Sequence, residues 1–182
     1  MAAIGAAEIL HAANRGENMT VIFINNAIYG MTGGQMAPTT LPQQKTLTSP
    51  RGKTTSNDGF PLRMSEIMAT LEAPVFVTRQ ACTNSKFIMR TRKAIRKALQ
   101  HQIDKKGFSF VEILATCPTN WKMTPKDAVA WVQNVLEKQF PLGVFKDIAD
   151  TRESYNRPAP ITDADEVFKL LDLHKGDSTV KK

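Results

Sequence analysis

Apolar residues along this chain fall into two rhythms, short dense runs and spaced stripes, and the two alternate. The run Met19-Thr20-Val21-Ile22-Phe23-Ile24 is too short for a buried helix and rich in β-branched residues. It predicts a strand covered on both faces, an inner strand of a parallel sheet. Residues 73–81 and 108–116 have the same character and predict a second and a third strand. Stripes lie between them. Residues 2–14 are dense in Ala, with Ile4, Ile9, Leu10 and His11, and favour helix until Gly16 offers a left-handed cap. Ser65, Glu66, Ile67, Met68 and Leu71 predict a short amphipathic helix. Phe87, Ile88, Ala94, Ile95, Ala98, Leu99 and Ile103 predict a long one, capped by Thr83 or Asn84 and stopped at Gly107. Thr124 and Pro125 open a further helix whose stripe is Ala128, Val129, Trp131, Val132, Val135 and Leu136. The fold class predicted is α/β, a mostly parallel sheet flanked by helices.

The chain's 182 residues, 42% of them hydrophobic, suffice for one sizeable core, so a single domain is expected over 1–147. The remainder, 148–182, reads as a tail with one short amphipathic helix around 164–173 and a polar end from Ser178 to Lys182 expected to be disordered. No stretch has the apolar length of a membrane span, and no charged start leads into the apolar core of a secretion signal, which predicts a cytoplasmic protein. Two cysteines make no disulfide framework, in keeping with a reducing compartment. Cys82, just past the second strand, reads as a small filler.

A net charge of +7 raises the question of nucleic acid. Much of the excess sits on one predicted helix, with Arg90, Arg92, Lys93, Arg96, Lys97, Lys105 and Lys106, and no aromatic interleaving accompanies it. A solvated helix face is the first reading, docking of an acidic partner the second, and nucleic acid the third.

Candidate chemistry gathers directly after the first strand, in Asn25-Asn26-Ala27-Ile28-Tyr29-Gly30-Met31-Thr32-Gly33-Gly34-Gln35. In open α/β sheets ligands bind beyond the carboxyl tips of the strands, where this stretch begins. An amide oxygen and turned-out carbonyls there are hard ligands suited to Mg²⁺ with phosphate oxygens in its shell. Gly30, Gly33 and Gly34 permit close backbone approach, with N–H groups free to face anionic oxygen. The polar, turn-rich segment 36–53 reads as a cover over a site, and its Lys45, Arg51 and Lys53 are candidates for holding a carboxylate, although a solvated surface role suits each of them better. His11, a lone histidine on a helix, reads as structural. The third strand delivers Cys117-Pro118-Thr119-Asn120-Trp121 to the same edge; taken as residues, a lone cysteine says little about iron.

The stretch from Asn25 to Gln35 resembles the closing half of the thiamine diphosphate motif in the β subunits of 2-oxoacid:ferredoxin oxidoreductases, and Cys117 to Trp121 resembles the Cys-Pro-Thr-Asn-Trp signature of the same subunits. The resemblance runs along most of the chain. It implies a thiamine diphosphate-binding fold incomplete at the N-terminus, since the family's opening Gly-Asp-Gly-Asp precedes the residues that look like Met1 to Gly5. It further implies Asn26, through its side-chain oxygen, and Ile28, through its carbonyl, as Mg²⁺ ligands. Backbone groups among Tyr29, Gly30, Met31, Thr32 and Gly33 would contact the diphosphate, and Met31 stands where some relatives carry Asn. Cys117 would be the fourth ligand of a four-iron four-sulfur (4Fe-4S) cluster whose other ligands lie in the family's N-terminal region. The implied activity is oxidative decarboxylation of a 2-oxoacid, 2-oxoisovalerate or 2-oxoglutarate, to an acyl-coenzyme A. Electrons would pass through the cluster to ferredoxin, and the acid that activates the cofactor would come from an α subunit, leaving no catalytic side chain here. The alternative is a non-catalytic module that pairs with an α-type subunit.

Overall fold

The computed structural model describes residues 2–154 and 162–172; the polar end from Ser178 to Lys182 lies outside them. Four strands form one sheet in the order β1-β3-β2-β4: β1 (Thr20–Asn25), β2 (Phe76–Ala81), β3 (Ser109–Leu114) and β4 (Gly143–Asp147). The first three are mutually parallel and β4 runs antiparallel against β2, with a register shift between Val77 and Thr78. β3 and β2 are the inner strands, and β3 is buried at all six positions.

Helices cover both faces. On one lie α1 (Ala6–Asn14) and α3 (Met64–Thr70), where Ile9, Ala13, Met64 and Met68 pack on Val21, Val77, Phe108 and Phe110. On the other lies α4 (Ser85–Ile103), whose Ala94 and Ala98 meet Phe76, Val111 and Ile113. Small residues on α4 let a helix this basic approach the sheet while its charged side chains stay in water. Asn84 caps it by accepting from the Phe87 N–H at 3.0 Å. A third cluster closes the carboxyl ends of the strands: Ala27, Leu41, Ala81 and Leu114 against Val132, Leu136 and Phe140. Val132 and Leu136 belong to a helical stretch made of α6 (Pro125–Trp131), a wide π turn (Val132–Leu136) and α7 (Glu137–Gln139), opened by the Thr124 cap on the Asp127 N–H, and Phe140 follows directly after it. The remaining elements are α2 (Thr55–Asp58), α5 (Pro118–Trp121), a 3₁₀ turn (Ala149–Thr151) and α8 (Ala164–Leu170).

Two expectations are corrected. β1 is a border strand in the sheet described, paired with β3 alone. Ile22 and Ile24 are in register with Val111 and Ile113, which α4 covers, yet they remain 42% and 54% exposed. An apolar run records that a strand is meant to be covered and not which neighbour covers it. The second correction is β4, absent from the sequence reading because Gly-Val-Phe-Lys-Asp is short and mixed, as border strands are. Packing continues beyond it: the Ile148 N–H donates to the Val75 carbonyl at 2.8 Å, and Ala149 is buried.

Candidate functional site

The site begins where β1 and β3 end together. Because they are parallel, Asn25 and Leu114 are partners, and the Ala115 N–H donates to the Asn25 carbonyl at 3.0 Å, so both loops leave from one edge. Asn25 is buried; its Nδ2 donates to Glu112 Oε1 at 2.7 Å and its Oδ1 accepts from the Ala27 N–H at 3.1 Å. Ala27 carries φ of 54°, a left-handed conformation costing a non-glycine residue roughly 1–2 kcal/mol. Its carbonyl accepts from Thr40 Oγ1 at 2.7 Å, and that hydroxyl in turn accepts from the Ala37 N–H. Bonded from both sides, this strained residue turns the chain so that half-buried Asn26 stands at the rim.

Asn26 Oδ1 takes only a long bond, 3.4 Å, from the Ile28 N–H, and no hydrogen-bond donor among the described residues meets the Ile28 carbonyl. After them the chain makes a closed turn. The Tyr29 N–H donates to the Gln35 carbonyl at 3.0 Å, Gly34 N–H to Tyr29 at 2.8 Å and Gly33 N–H to Gly30 at 3.2 Å. The expectation of free N–H groups at Gly33 and Gly34 is therefore corrected: those two close the turn, which needs their φ of 117° and 96°. The N–H groups of Gly30, Met31 and Thr32 have no acceptor among the described residues, and Met31 is fully exposed.

Cys117 and its turn pack directly on this loop. A Cβ on Gly30 would stand 2.9 Å from Cys117 Sγ, and one on Gly34 would stand 2.7 Å from Asn120 Oδ1. Asn120 Nδ2 donates both to the Gly30 carbonyl at 3.1 Å and to Cys117 Sγ at 3.2 Å. Asn26 and Cys117 thus share one rim, and an amide joins their two loops. Alongside opens a cleft of about 480 Å³ lined in part by Gly33, Gly34, Lys45, Thr46, Thr119 and Lys122.

Beneath the rim lies a buried ionic network. Glu112, on β3, accepts from Asn25, from Ser65 Oγ at 2.6 Å and from Arg79 Nε at 2.8 Å. Arg79, fully buried, also reaches both oxygens of Glu66 at 3.0 and 2.5 Å. Burial pushes the Glu66 carboxyl up, but the hydrogen bonds and charge of Arg79 hold it below the ordinary carboxylate range. Arg79 and Glu112 do not stand out in the sequence as site residues. The available signal was a Glu and an Arg in the midst of two apolar strand runs, since charges are fully buried only when paired.

The remaining candidates separate. Lys45 and Arg51 are exposed, whereas Lys53 is 2% exposed, a correction to its reading as a solvated side chain. Burial pushes the Lys53 ammonium down, with Asp58 opposing. Cys82 is exposed rather than filling space, because it lies one residue beyond the strand end. His11 is exposed on α1.

The oxygens of Asn26 and Ile28 are a hard donor pair, and with the open N–H groups of the following turn they fit part of a shell around a magnesium diphosphate. A four-iron cluster needs several thiolates. Cys117 carries one free thiol, and among the described residues no group of three or more His, Cys, Asp or Glu could hold a metal ion, so the residues present do not fit such a cluster unaided.

Mostly parallel strands with a glycine turn at their carboxyl tips define an open α/β protein whose ligand crevice is expected at that edge. The thiamine pyrophosphate enzyme family, in its C-terminal TPP-binding domain, matches residues 1–113, and this chain belongs to it. Among its relatives is the ketoisovalerate oxidoreductase subunit VorA of Methanothermobacter thermautotrophicus, 47% identical over 147 residues, covering 81% of this chain and 31% of that protein. Another is the 2-oxoglutarate synthase subunit KorB of Archaeoglobus fulgidus, 39% identical over 125 residues, covering 69% of this chain and 42% of that protein. The fold is similar to that of a 2-oxoglutarate:ferredoxin oxidoreductase from Magnetococcus marinus, solved with 2-oxoglutarate, coenzyme A and succinyl-CoA bound. There the TM-score is 0.60 and the identity 21%, with 97% of this chain and 60% of that one covered. The chain thus spans about a third to under half the length of these two curated relatives.

Proposed function

We propose that this chain is part of the β subunit of a 2-oxoacid:ferredoxin oxidoreductase, acting in the cytoplasm on a branched-chain 2-oxoacid such as 2-oxoisovalerate, or on 2-oxoglutarate, with coenzyme A as acyl acceptor and an α subunit as partner. The observation that carries this reading is the rim: at the tip of β1, Asn26 Oδ1 takes only a 3.4 Å bond and the carbonyl of buried Ile28 takes no donor among the described residues, beside a glycine turn that packs on Cys117. When bound, thiamine diphosphate supplies an electron sink for decarboxylation. The chain's part is to hold and orient it. Asn26 and Ile28 would bind Mg²⁺ through oxygen, and the N–H groups of Gly30, Met31 and Thr32 would face the diphosphate. Lys45, beside the cleft, would hold anionic substrate or cofactor oxygens through its charge. Cys117 would serve as one thiolate ligand of a 4Fe-4S cluster completed by residues outside this chain's described side chains.

The border of the sheet supports completion by another polypeptide segment. Among the described residues no strand pairs with the outer edge of β1, and beside it Ile22, Ile24, Leu99 and Ile103 are all more than 40% exposed, a surface suited to a further parallel strand and its helix. The same surface favours the second reading, an assembly module without a cofactor. No helix among the described residues is long and apolar enough to cross a membrane.

The test is reconstitution of the complete enzyme with this chain, followed by 2-oxoisovalerate-dependent and 2-oxoglutarate-dependent reduction of a ferredoxin in the presence of coenzyme A. Reduction that requires thiamine diphosphate supports the reading; assembly that retains no thiamine diphosphate supports the module instead.

A further inference from the structure

The ionic network beneath the rim has a geometry that packing alone does not call for. Glu112 lies in the middle of a fully buried strand, and each of its three donors comes from a different element: Asn25 from β1, Ser65 from α3 and Arg79 from β2. A buried ion pair is weak support for stability, because desolvation offsets much of its attraction. Of these donors Asn25 is the one attached to the site, through the bond from the Ala27 N–H to its side-chain oxygen. Ala27 is a fully buried alanine at φ 54°, where glycine would be unstrained. Backbone strain of this kind persists only where the surroundings over-determine it.

We propose that Glu112 and Asn25 are positioning residues for the cofactor: with Glu112 anchored by Arg79 and Ser65, they hold Ala27 in its left-handed turn and so set where the Asn26 and Ile28 oxygens stand. This rests on the reading of those oxygens as magnesium ligands. Glu112 orients the Asn25 amide by taking its Nδ2–H, which leaves Oδ1 aimed at the Ala27 N–H. Thr40 pins the other side of the same residue through the Ala27 carbonyl. Asn26 follows the turn because it lies between the two bonded residues. Alanine rather than glycine at this position couples the loop to the network, since a glycine would reach the same φ without help.

The test is a rescue experiment on the assembled enzyme, reading the affinity for thiamine diphosphate with Mg²⁺ by calorimetry, beside amide exchange at Ala27 in the 182-residue chain. Asn25→Ala is expected to weaken binding by about tenfold to a hundredfold and to abolish protection of the Ala27 amide. Ala27→Gly alone is expected to bind as the parent does, and Asn25→Ala with Ala27→Gly is expected to recover most of the lost affinity. Should Asn25→Ala fail to fold, Thr40→Val removes the opposite bond and carries the same rescue by Ala27→Gly. Unchanged affinity in Asn25→Ala, or a loss that glycine does not repair, overturns the proposal. If the parent assembly binds no thiamine diphosphate, the cofactor reading fails and amide exchange decides alone: lost protection in Asn25→Ala supports the positioning device, and retained protection overturns it.

Discussion

The carboxyl-end rim and the β1 border are built to opposite standards. At the rim, atoms are fixed from several sides: Ala27 is bonded at both its N–H and its carbonyl, and Gly30 and Gly34 leave no room for a methyl group. At the border a strand made of Val, Ile and Phe presents Ile22 and Ile24 to solvent with no further strand among the described residues. The sheet's other border shows how an edge is finished, with a register shift in its pairing and a Lys97–Asp147 ion pair at 2.5 Å. Backbone bonding is concentrated where, in the proposed function, ligands of fixed geometry would be held. The β1 surface leaves apolar side chains exposed, as the proposed assembly with a further segment requires.

Four substitutions or conditions separate the two standards. Glu112→Leu should have the largest effect, roughly 3–5 kcal/mol in denaturant unfolding, because it leaves the fully buried Arg79 with Glu66 as its one carboxylate partner and removes the acceptor of Asn25 Nδ2 and Ser65 Oγ. A loss below about 1 kcal/mol would mean that the rim is not over-determined. Gly34→Ala comes next, at roughly 1–3 kcal/mol, since its Cβ would meet Asn120 Oδ1 and its φ is 96°; a neutral result would show that the Asn120 turn yields freely.

Acid gives a smaller, graded effect through His101. Burial, then the nearby Lys97 charge, pushes this imidazole below 6.5, while Asp147, Asp150 and Asp104 oppose. It is buried edge-on against Phe76. The unfolded chain binds the proton more readily, so the full contribution is present above about pH 6.5 and is lost as pH falls through the folded value. The urea midpoint should fall between pH 7.5 and 5.5, and His101→Phe should flatten that dependence. The smallest effect on the chain by itself is expected from Ile22→Thr with Ile24→Thr, within about 0.5 kcal/mol. The same pair should impair assembly of the complete enzyme, whereas unimpaired assembly would erase the contrast between border and rim.

The sequence made the parallel strands, the caps at Asn84 and Thr124, and the shared edge of Asn26 and Cys117 legible, because each depends on local pattern and on the polarity of a parallel sheet. What stayed hidden was relational. The run from Met19 to Ile24 announces burial and not the identity of its neighbour, so a border strand read as an inner one. Arg79 and Glu112 stand more than thirty positions apart, and only the adjacency of β2 and β3 brings them to 2.8 Å. Lys53 is a charge in a polar loop, and nothing nearby in sequence signals its burial. Asn120 belongs to a motif, but that its amide serves both Gly30 and Cys117 is a property of two loops meeting.

The central claim is that the oxygens of Asn26 and Ile28 anchor a magnesium diphosphate. Its most direct measurement is the affinity of the assembled enzyme for thiamine diphosphate across a Mg²⁺ titration, in parent and Asn26→Ala forms. Strong Mg²⁺-dependent binding is expected in the parent, and a loss of at least about tenfold, with a flattened Mg²⁺ dependence, in the variant. Equal affinity and equal Mg²⁺ dependence in the two would contradict it.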